Sequence, residues 1–587
     1  MDVNKDNFAE AFIKFESLLP TCKFVSFDEE MTGMFSTGEG MKRDDNAQAR
    51  YTKMIEVATK YGIIQFGVCL FHETGEGELT ATPFNFYVFP NSGSDLVMSP
   101  SAIDFLRKNN MDFAQWISKG ITFVDKAGEE KLRNKFYPPE SDEPKKYIVL
   151  TRTSDIEIID KCMEDVKALM DDEKAIENAT SCILQPNNSY LRRVIYEQLE
   201  IRYPNQVNVD KNEHGHIVVT KIDPSKQYEI EEKKRIEKEK QFHDALGFRR
   251  VYNALISAKK PIVGHNLFFD LLFMYRWLDS ALPADFELFR QDLHSKFPWI
   301  YDTKYITSLN VDGTKIPDTC LQKCYEHYMK NNTENNNENN IENKKEIQIK
   351  MSDIVVGYEG DNAQYHNAGY DAYTTGCVFA KQIYHIQQQN TTTSTTVTTS
   401  ILTNSSNMYA NTLPSTVETA CGNTICINRN LYYLQLTPTL PAERFSLTGG
   451  TVRITGFDPA STNNSMLVDL LTNAGVKLGD FELLWVDNTA FYVNFPGHEV
   501  VGSEEVKEGE SSVVKTQLRS TTTDTTTVMD TTTPTTTTAD MKETTPSDSI
   551  TMIEWPQGWV VVDFAQVLAE REAARIVQTV RILSFFL

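Results

Sequence analysis

Paired cysteines are missing from this chain of 587 residues. Its nine cysteines include no Cys-x-x-Cys pair, which argues against a disulfide framework and points to a reduced, intracellular setting. The nearest metal-like spacing is Cys320, Cys324 and His327. These fall on one face of an amphipathic helix, and three ligands without a fourth read as core packing. A secretory apolar segment is also lacking, since the chain opens with the polar Met1-Asp-Val-Asn-Lys. No apolar run reaches the roughly 20 residues a bilayer requires. The C-terminal Ile582-Leu-Ser-Phe-Phe-Leu reads as a terminal strand, so no membrane span is expected. There is no repeat of the solenoid kind and no basic run of the nuclear-signal type. A formal charge of −23 argues against unspecific adhesion to nucleic acid, though it leaves room for a nucleic-acid enzyme with local cations.

What the chain does have is carboxylates in costly places. Phe24-Val-Ser-Phe-Asp-Glu-Glu-Met reads as a strand, on which alternate side chains share a face. Asp28 and Glu30 therefore point the same way, about 7 Å apart. They repel unless a cation lies between them, and Mg2+, a hard ion with oxygen ligands, suits the position. Asp270 is the lone carboxylate in the apolar Leu267-Phe-Phe-Asp-Leu-Leu-Phe-Met-Tyr, where a charge is expensive unless partnered. Asp371 stands at a helix start five positions after His366.

At this length two or three domains are expected, and 40% apolar residues suffice for their cores. Helical periods at 7–20, 51–61, 101–107 and 113–117 mix with strand-like runs at 24–31, 63–71 and 84–90, an α/β pattern. Residues 1–160 and 241–386 form one domain, separated by an insertion at 161–240 that ends in the mixed-charge run 231–240, read as a solvated helix face. An Asn-rich tract at about 330–345 and a Thr/Asn-rich linker at 387–424 have too little to bury to order themselves. Residues 425–587, interrupted by a Thr-rich insertion at about 502–548, read as strand–helix–strand–strand–helix–strand, with strands at 451–457, 481–486, 490–495 and 558–563, a helix at 565–580 and a last strand at the C-terminus. That is the order of an RNA-recognition module.

Asp28-x-Glu30, Asp270 in His265-Asn-Leu-Phe-Phe-Asp, and His366-x4-Asp371 together resemble the DEDD family of 3′→5′ exonucleases, in its histidine (DEDDh) branch. Within it, Val263-Gly-His-Asn, Phe84-Asn-Phe-Tyr-Val-Phe-Pro, Ser101-Ala-Ile-Asp-Phe-Leu, Asp302-Thr-Lys and His366-x-Ala-Gly-Tyr-Asp-Ala-Tyr are similar to the poly(A)-specific ribonucleases, or deadenylases. The resemblance runs over most of 1–385 and more weakly over 425–587. It implies an RNase H-like DEDD exonuclease core, an inserted small α/β domain of the single-strand-binding type named for an Arg-x3-His motif, and a C-terminal α+β domain like an RNA-recognition motif (RRM-like).

The implied chemistry is hydrolysis at two Mg2+ ions held by Asp28, Glu30, Asp270 and Asp371, with His366 taking the proton of the attacking water. The implied activity is mRNA poly(A) shortening with release of 5′-AMP, stimulated by the 5′ cap, in a homodimer of the nucleus or cytoplasm. Trimming of small non-coding RNA and a catalytically silent RNA-binding homologue are the rival readings. Lys304 matches a lysine that contacts the adenine tract, and a surface lysine is the alternative; Asp302 reads as structural. Met31 and Met34 stand where the terminal nucleotide packs, with core packing equally open. Glu29 replaces a small or neutral residue and is expected to face away from Asp28 and Glu30, against a local cation. In the insertion, Arg192 and Arg193 are candidates for phosphate contact or plain helix-surface charges, and Tyr196 takes the place of the motif's histidine. Trp485 matches the residue that stacks on the cap guanine. Strand alternation puts it opposite Leu484 and Val486, on what reads as an outer face.

Overall fold

The computed structural model describes residues 1–34, 40–75, 77–91, 95–139, 147–186, 188–334, 347–353, 364–391, 415–446, 450–496, 498–508, 511–520, 550–564 and 566–570. Contacts divide the chain into two units, Met1–Ile121 with Val251–Leu587, and Thr122–Arg250. The first unit opens with β1 (Asp2–Val3), α1 (Phe8–Leu18), β2 (Phe24–Met31), α2 (Ala47–Lys60), β3 (Ile63–Gly75), β4 (Glu78–Pro90), α3 (Pro100–Lys108) and α4 (Phe113–Lys119). The chain leaves it through β5 (Ile121–Phe123).

The second unit contains α5 (Lys126–Phe136), α6 (Thr153–Asp171), β6 (Ser181–Leu184), α7 (Ser189–Arg202), β7 (Val207–Lys211), β8 (Ile217–Lys221) and α8 (Gln227–Leu246). Its antiparallel sheet has the order β6-β8-β7. Met163 and Val166 of α6 pack there with Leu191 and Ile195 of α7 over Ile217 and Val219. The insertion expected at 161–240 lies inside this unit, whose borders are wider. Phe136 and Tyr137, at the end of α5, set their rings 5.8 and 5.4 Å from that of Phe242 on α8, which draws residues from 122 onward into the same body. On α8 only Phe242 and Leu246 are buried, so the charged run is a solvated face.

The first unit resumes with α9 (Arg249–Ala258), β9 (Ile262–Gly264), α10 (Phe268–Met274), α11 (Phe286–Lys296), β10 (Ile300–Asp302), α12 (Thr303–Ser308), α13 (Leu321–Glu334), β11 (Gln348–Met351) and α14 (Ala368–Thr391). Its sheet runs β1-β4-β3-β2-β9-β10, with β11 beside β4. The β2-β3-β4 meander is antiparallel, whereas β9 joins β2 in parallel and β10 joins β9 in parallel. This α/β sheet carries α14 on one face, where Phe24, Phe71, Val263 and Tyr301 pack with Phe379 and Ile383.

Two glycine-sized gaps let α14 approach. A β-carbon at Gly67 would lie 1.8 Å from the carbonyl oxygen of Ala368, and one at Gly376 would lie 2.1 Å from the Phe71 ring. The Ser26 hydroxyl donates to the Ala372 carbonyl at 2.6 Å and fixes the helix over the strand.

Part of the expected linker is packed. Residues 387–391 extend α14, and α15 (Ser415–Cys421) buries Val417 and Cys421 against the core that holds Ile383 and Ile386. These two apolar residues lie one helical turn apart, enough to dock a short helix; residues 392–414 lie outside the described residues. So does most of the Asn-rich tract, although α13 reaches Glu334. Along α13, Cys324 is buried while His327 pairs with Asp312 at 2.6 Å.

Beyond the linker, β12 (Thr424–Ile425), β13 (Tyr432–Gln435) and β14 (Glu443–Phe445) form a small antiparallel sheet joined to the α/β sheet layer around β10 and α11. The Asn423 side chain accepts from the Ile300 N–H and donates to the Pro298 carbonyl, and the Arg290 guanidinium donates to the carbonyls of Gln435, Thr437 and Leu440. The boundary drawn at 425 is therefore not a break in packing.

Next come β15 (Thr451–Thr455), α16 (Asn464–Asn473), β16 (Glu482–Asp487), β17 (Ala490–Asn494), β18 (His498–Glu508), β19 (Ser511–Ser520), β20 (Ile550–Glu554) and β21 (Val560–Asp563). One sheet is ordered β16-β17-β15-β21, a second β18-β19-β20. The insertion expected from 502 is thus strand over 502–508 and 511–520. Thr516 and Leu518 alternate to one face and are buried, with Ile553 and Trp555 in the same core. Residues 521–549, most of the helix expected at 565–580 and the C-terminal strand lie outside the described residues. Among the described residues no helix is long and apolar enough to cross a membrane.

Candidate active site

β2 places the first two carboxylates. Asp28 lies opposite Gly67 and Glu30 opposite Gln65 on β3, and the register slips between Glu30 and Met31 as the strand ends. α14 brings the third over the same face, because its first turn sits on Gly67. That turn is prepared by the loop before it. His366 adopts a left-handed φ of 67°, a conformation residues with a β-carbon rarely take. Its N–H donates to Asp371 Oδ2 at 2.9 Å, and the Asn367 side chain accepts from Tyr370 N–H at 3.2 Å. The ligand atoms of Glu30, His366 and Asp371 lie within 4.8 Å of one another. Asp270 enters from the first turn of α10.

The electrostatics join all four. Burial, then Asp371, Asp270 and Glu30, hold the Asp28 carboxyl well above its ordinary range. Burial followed by Asp371 and Asp270 does the same to Glu30. Burial raises Asp270 to about 7 against the pull of backbone N–H donors, and raises Asp371 to about 7 against that of His366. Asp371 Oδ1 is buried without a hydrogen-bond partner among the described residues. Four oxygen-donor groups that oppose one another's ionisation, one with an orphaned buried oxygen, fit hard divalent cations.

The sign of these shifts gives a test. An unfolded aspartate titrates near 4, so between about pH 4 and 7 the metal-free fold retains protons that the unfolded chain has lost. The contribution of these groups is therefore most favourable at low pH and fades as pH rises toward 7. Asp371→Asn is expected to stabilise the metal-free protein at pH 8 by about 1–3 kcal/mol, with little effect at pH 4. Thermal melts in chelator at the two pH values check this; a variant that melts lower than wild type at pH 8 contradicts it.

Glu29 departs from its expected environment. It is 5% exposed and neither carboxylate oxygen has a hydrogen-bond partner among the described residues, so no local cation among them faces it. Burial, with Asp270 and Asp28 nearby, drives its ionisation well up, and the neutral acid is what such a site tolerates. Asp302 is fully buried and accepts from the N–H groups of Asn266, Lys304 and Cys426 at 2.8–2.9 Å, binding the turn before α10, the start of α12 and the segment after the linker. His265 is held neutral by burial and by the Lys304 charge, with Nδ1 against Thr303 Oγ1 and Nε2 against Thr319 O.

Of the two methionines, Met31 is buried, while Met34 is 41% exposed and lines a cleft of about 430 Å³. Met41, Asn266, Phe268, Phe269 and Arg429 also line it. Arg192 and Arg193 belong to the second unit. There they line a shallow hollow with Tyr196, and Arg193 pairs with Glu197 at 3.0 Å.

Trp485 is not on an open face. Its ring packs 4.8 Å from Phe491 and 5.6 Å from Phe457, and its indole N–H donates to Asn464 Oδ1 at 2.6 Å. Leu484 and Val486 pack on Leu431, Tyr492 and Phe564. Both faces of this sheet carry packed side chains while β16 itself stays partly exposed, so alternation separates the residues without naming an outside.

The structure adds Phe105. It is 46% exposed, and its ring meets that of His366 edge-on at 4.6 Å. Phe105 and Leu106 adjoin on α3, and the core takes only Leu106; the surplus aromatic was the available signal.

A carboxylate-lined nuclease-type centre on an α/β sheet is what fold and site together define. The chain belongs to the CAF1 ribonuclease family, whose model matches residues 3–379. It is 26% identical over 406 residues to the poly(A)-specific ribonuclease PARN of Xenopus laevis, covering 65% of this chain and 62% of that protein. The Arabidopsis thaliana poly(A)-specific ribonuclease is 26% identical over 437 residues, covering 65% and 63%. The Bombyx mori pre-piRNA 3′-exonuclease trimmer is 26% identical over 403 residues, covering 65% and 70%.

Proposed function

We propose that this protein is a 3′→5′ exoribonuclease that shortens poly(A) tails and releases 5′-AMP. The observation that carries the reading is the meeting of Glu30, His366 and Asp371 within 4.8 Å, electrostatically joined to Asp28 and Asp270, in a chain of a ribonuclease family. Asp28, Glu30, Asp270 and Asp371 would hold two Mg2+ ions, which when bound activate water and steady the leaving 3′ oxygen. His366 contributes a proton acceptor. Partial burial lowers its pKa, so the neutral imidazole prevails at pH 7 and is ready to take a proton from water. Phe105 offers its exposed ring to the terminal base, and base–aromatic stacking contributes about 1–3 kcal/mol. The cleft lined by Met34, Phe269 and Arg429, with Lys304 toward its Cys426 side, takes the nucleotides upstream.

The first unit is then an RNase H-like core with an RRM-like sheet, a reading supported by the strand order β16-β17-β15-β21. The second unit is a small single-strand-binding domain like the Arg-x3-His type, with Tyr196 in place of the histidine and Arg192 and Arg193 as its RNA contacts. Cap stimulation would act at the partly exposed Trp485, and the active form is a homodimer.

Incubating the protein with 3′-labelled RNAs ending in A or in U, with Mg2+, tests the substrate. Mononucleotide from the A tail alone is expected. Equal trimming of both tails favours small-RNA processing, the reading suggested by the similarity to the Bombyx mori trimmer. Product from neither contradicts the nuclease assignment.

A further inference from the structure

The loop that leaves the catalytic strand is braced by the C-terminal sheet. Met34, Gly40 and Met41 form one wall of the nucleotide cleft, and Cys426 to Arg429 another. Just past Met41, the Arg43 Nε–H donates to the Trp485 carbonyl at 3.0 Å and Lys42 Nζ lies 3.3 Å from Asp487. The Arg43 carbonyl accepts from Leu431 N–H at 3.1 Å, and that of Asp45 accepts from Asn430 and from the Tyr432 hydroxyl. The Asp45 carboxylate in turn takes Lys53, a cleft-lining residue of α2, at 2.7 Å. One short loop thus touches the cleft on one side and Trp485's strand on the other.

β16 is suited to that role. It ends its sheet, so among the described residues one side of its backbone has no strand partner, and its register slips between Trp485 and Asp487. The Lys42–Asp487 pair is half-exposed, and pairs of that kind contribute little to stability. Its effect is on where the loop sits.

We propose that Lys42 and Arg43 are positioning residues through which the edge strand β16 sets the cleft wall at Met41, and so the affinity for RNA. The proposal rests on the nuclease reading of the site and adds a route by which anything that engages β16 alters substrate binding without touching the carboxylates.

Steady-state kinetics of the full chain on A-tailed RNA tests it. Arg43→Ala and Lys42→Glu are each expected to raise KM about 5- to 10-fold with kcat within about twofold, whereas Lys42→Arg, which keeps the ion pair, retains the wild-type KM. Singles that leave KM unchanged, a kcat that falls in step, or a Lys42→Arg variant as impaired as Lys42→Glu overturn it. RNA affinity by fluorescence anisotropy in an Asp28→Ala background separates the two claims. If the wild type releases no mononucleotide, the nuclease reading fails, while a weaker Kd on adding Arg43→Ala still supports the coupling and an unchanged Kd still overturns it.

Discussion

Asp28→Ala is expected to lower kcat on A-tailed RNA by about 10³-fold or more while the protein stays folded, because groups that act as one unit lose nearly everything when any member goes. Asp28 is the carboxylate whose ionisation is opposed by the three others together, so it lies electrically at the centre of the group. The charge is costly to the metal-free fold, and alanine removes it. Melting temperature in chelator should therefore hold or rise as activity disappears. A variant that loses activity only by unfolding would assign Asp28 a structural role instead. Single-turnover release of labelled mononucleotide, measured beside thermal melts, separates the two.

Gly67→Ala is expected to damage stability and activity together. The added β-carbon would lie 1.8 Å from the Ala368 carbonyl oxygen, 2.0 Å from its carbon and 2.5 Å from the Gly369 nitrogen. All three are backbone atoms, so no side chain can swing aside and the first turn of α14 must move. Overpacking of a tight core costs typically 1–3 kcal/mol and occasionally more; with only backbone to yield, about 3 kcal/mol is expected. The same movement shifts His366 and Asp371, and a displacement of about 1 Å at a catalytic group costs on the order of 100-fold in rate. Gly40→Ala, with nothing within 4 Å of its added carbon, serves as the stability control. A Gly67→Ala protein that melts like wild type contradicts this account of how α14 is seated.

The sequence disclosed the parts of this arrangement that depend on short-range period. Alternation along Phe24–Met31 puts Asp28 and Glu30 on one face whatever the rest of the chain does, and the apolar surroundings of Asp270 mark it as a carboxylate in need of a partner. That these residues meet His366 and Asp371, hundreds of positions away, came from resemblance, since no local pattern encodes a contact between β3 and the start of α14. Gly67 shows why: nothing in Gln65-Phe-Gly-Val says that a helix will lie on it. Alternation held at Glu29 and Trp485, but what was expected to face them, a cation and open solvent, did not follow from it. Period two tells which neighbours share a face but not whether a layer covers it. The docking of Val417 and Cys421 and the strands at 502–508 and 511–520 were hidden by polar, Thr-rich surroundings whose few apolar residues are enough to anchor short elements.

The central claim, that four carboxylates from three elements form one divalent-cation site, is tested most directly by titrating Mn2+ into the metal-free protein by calorimetry at pH 7.5. Two ions per chain are predicted for the wild type, with binding weakened by at least about tenfold in Asp28→Ala and in Asp371→Asn. Binding absent from the wild type, or unchanged in both variants, would contradict it.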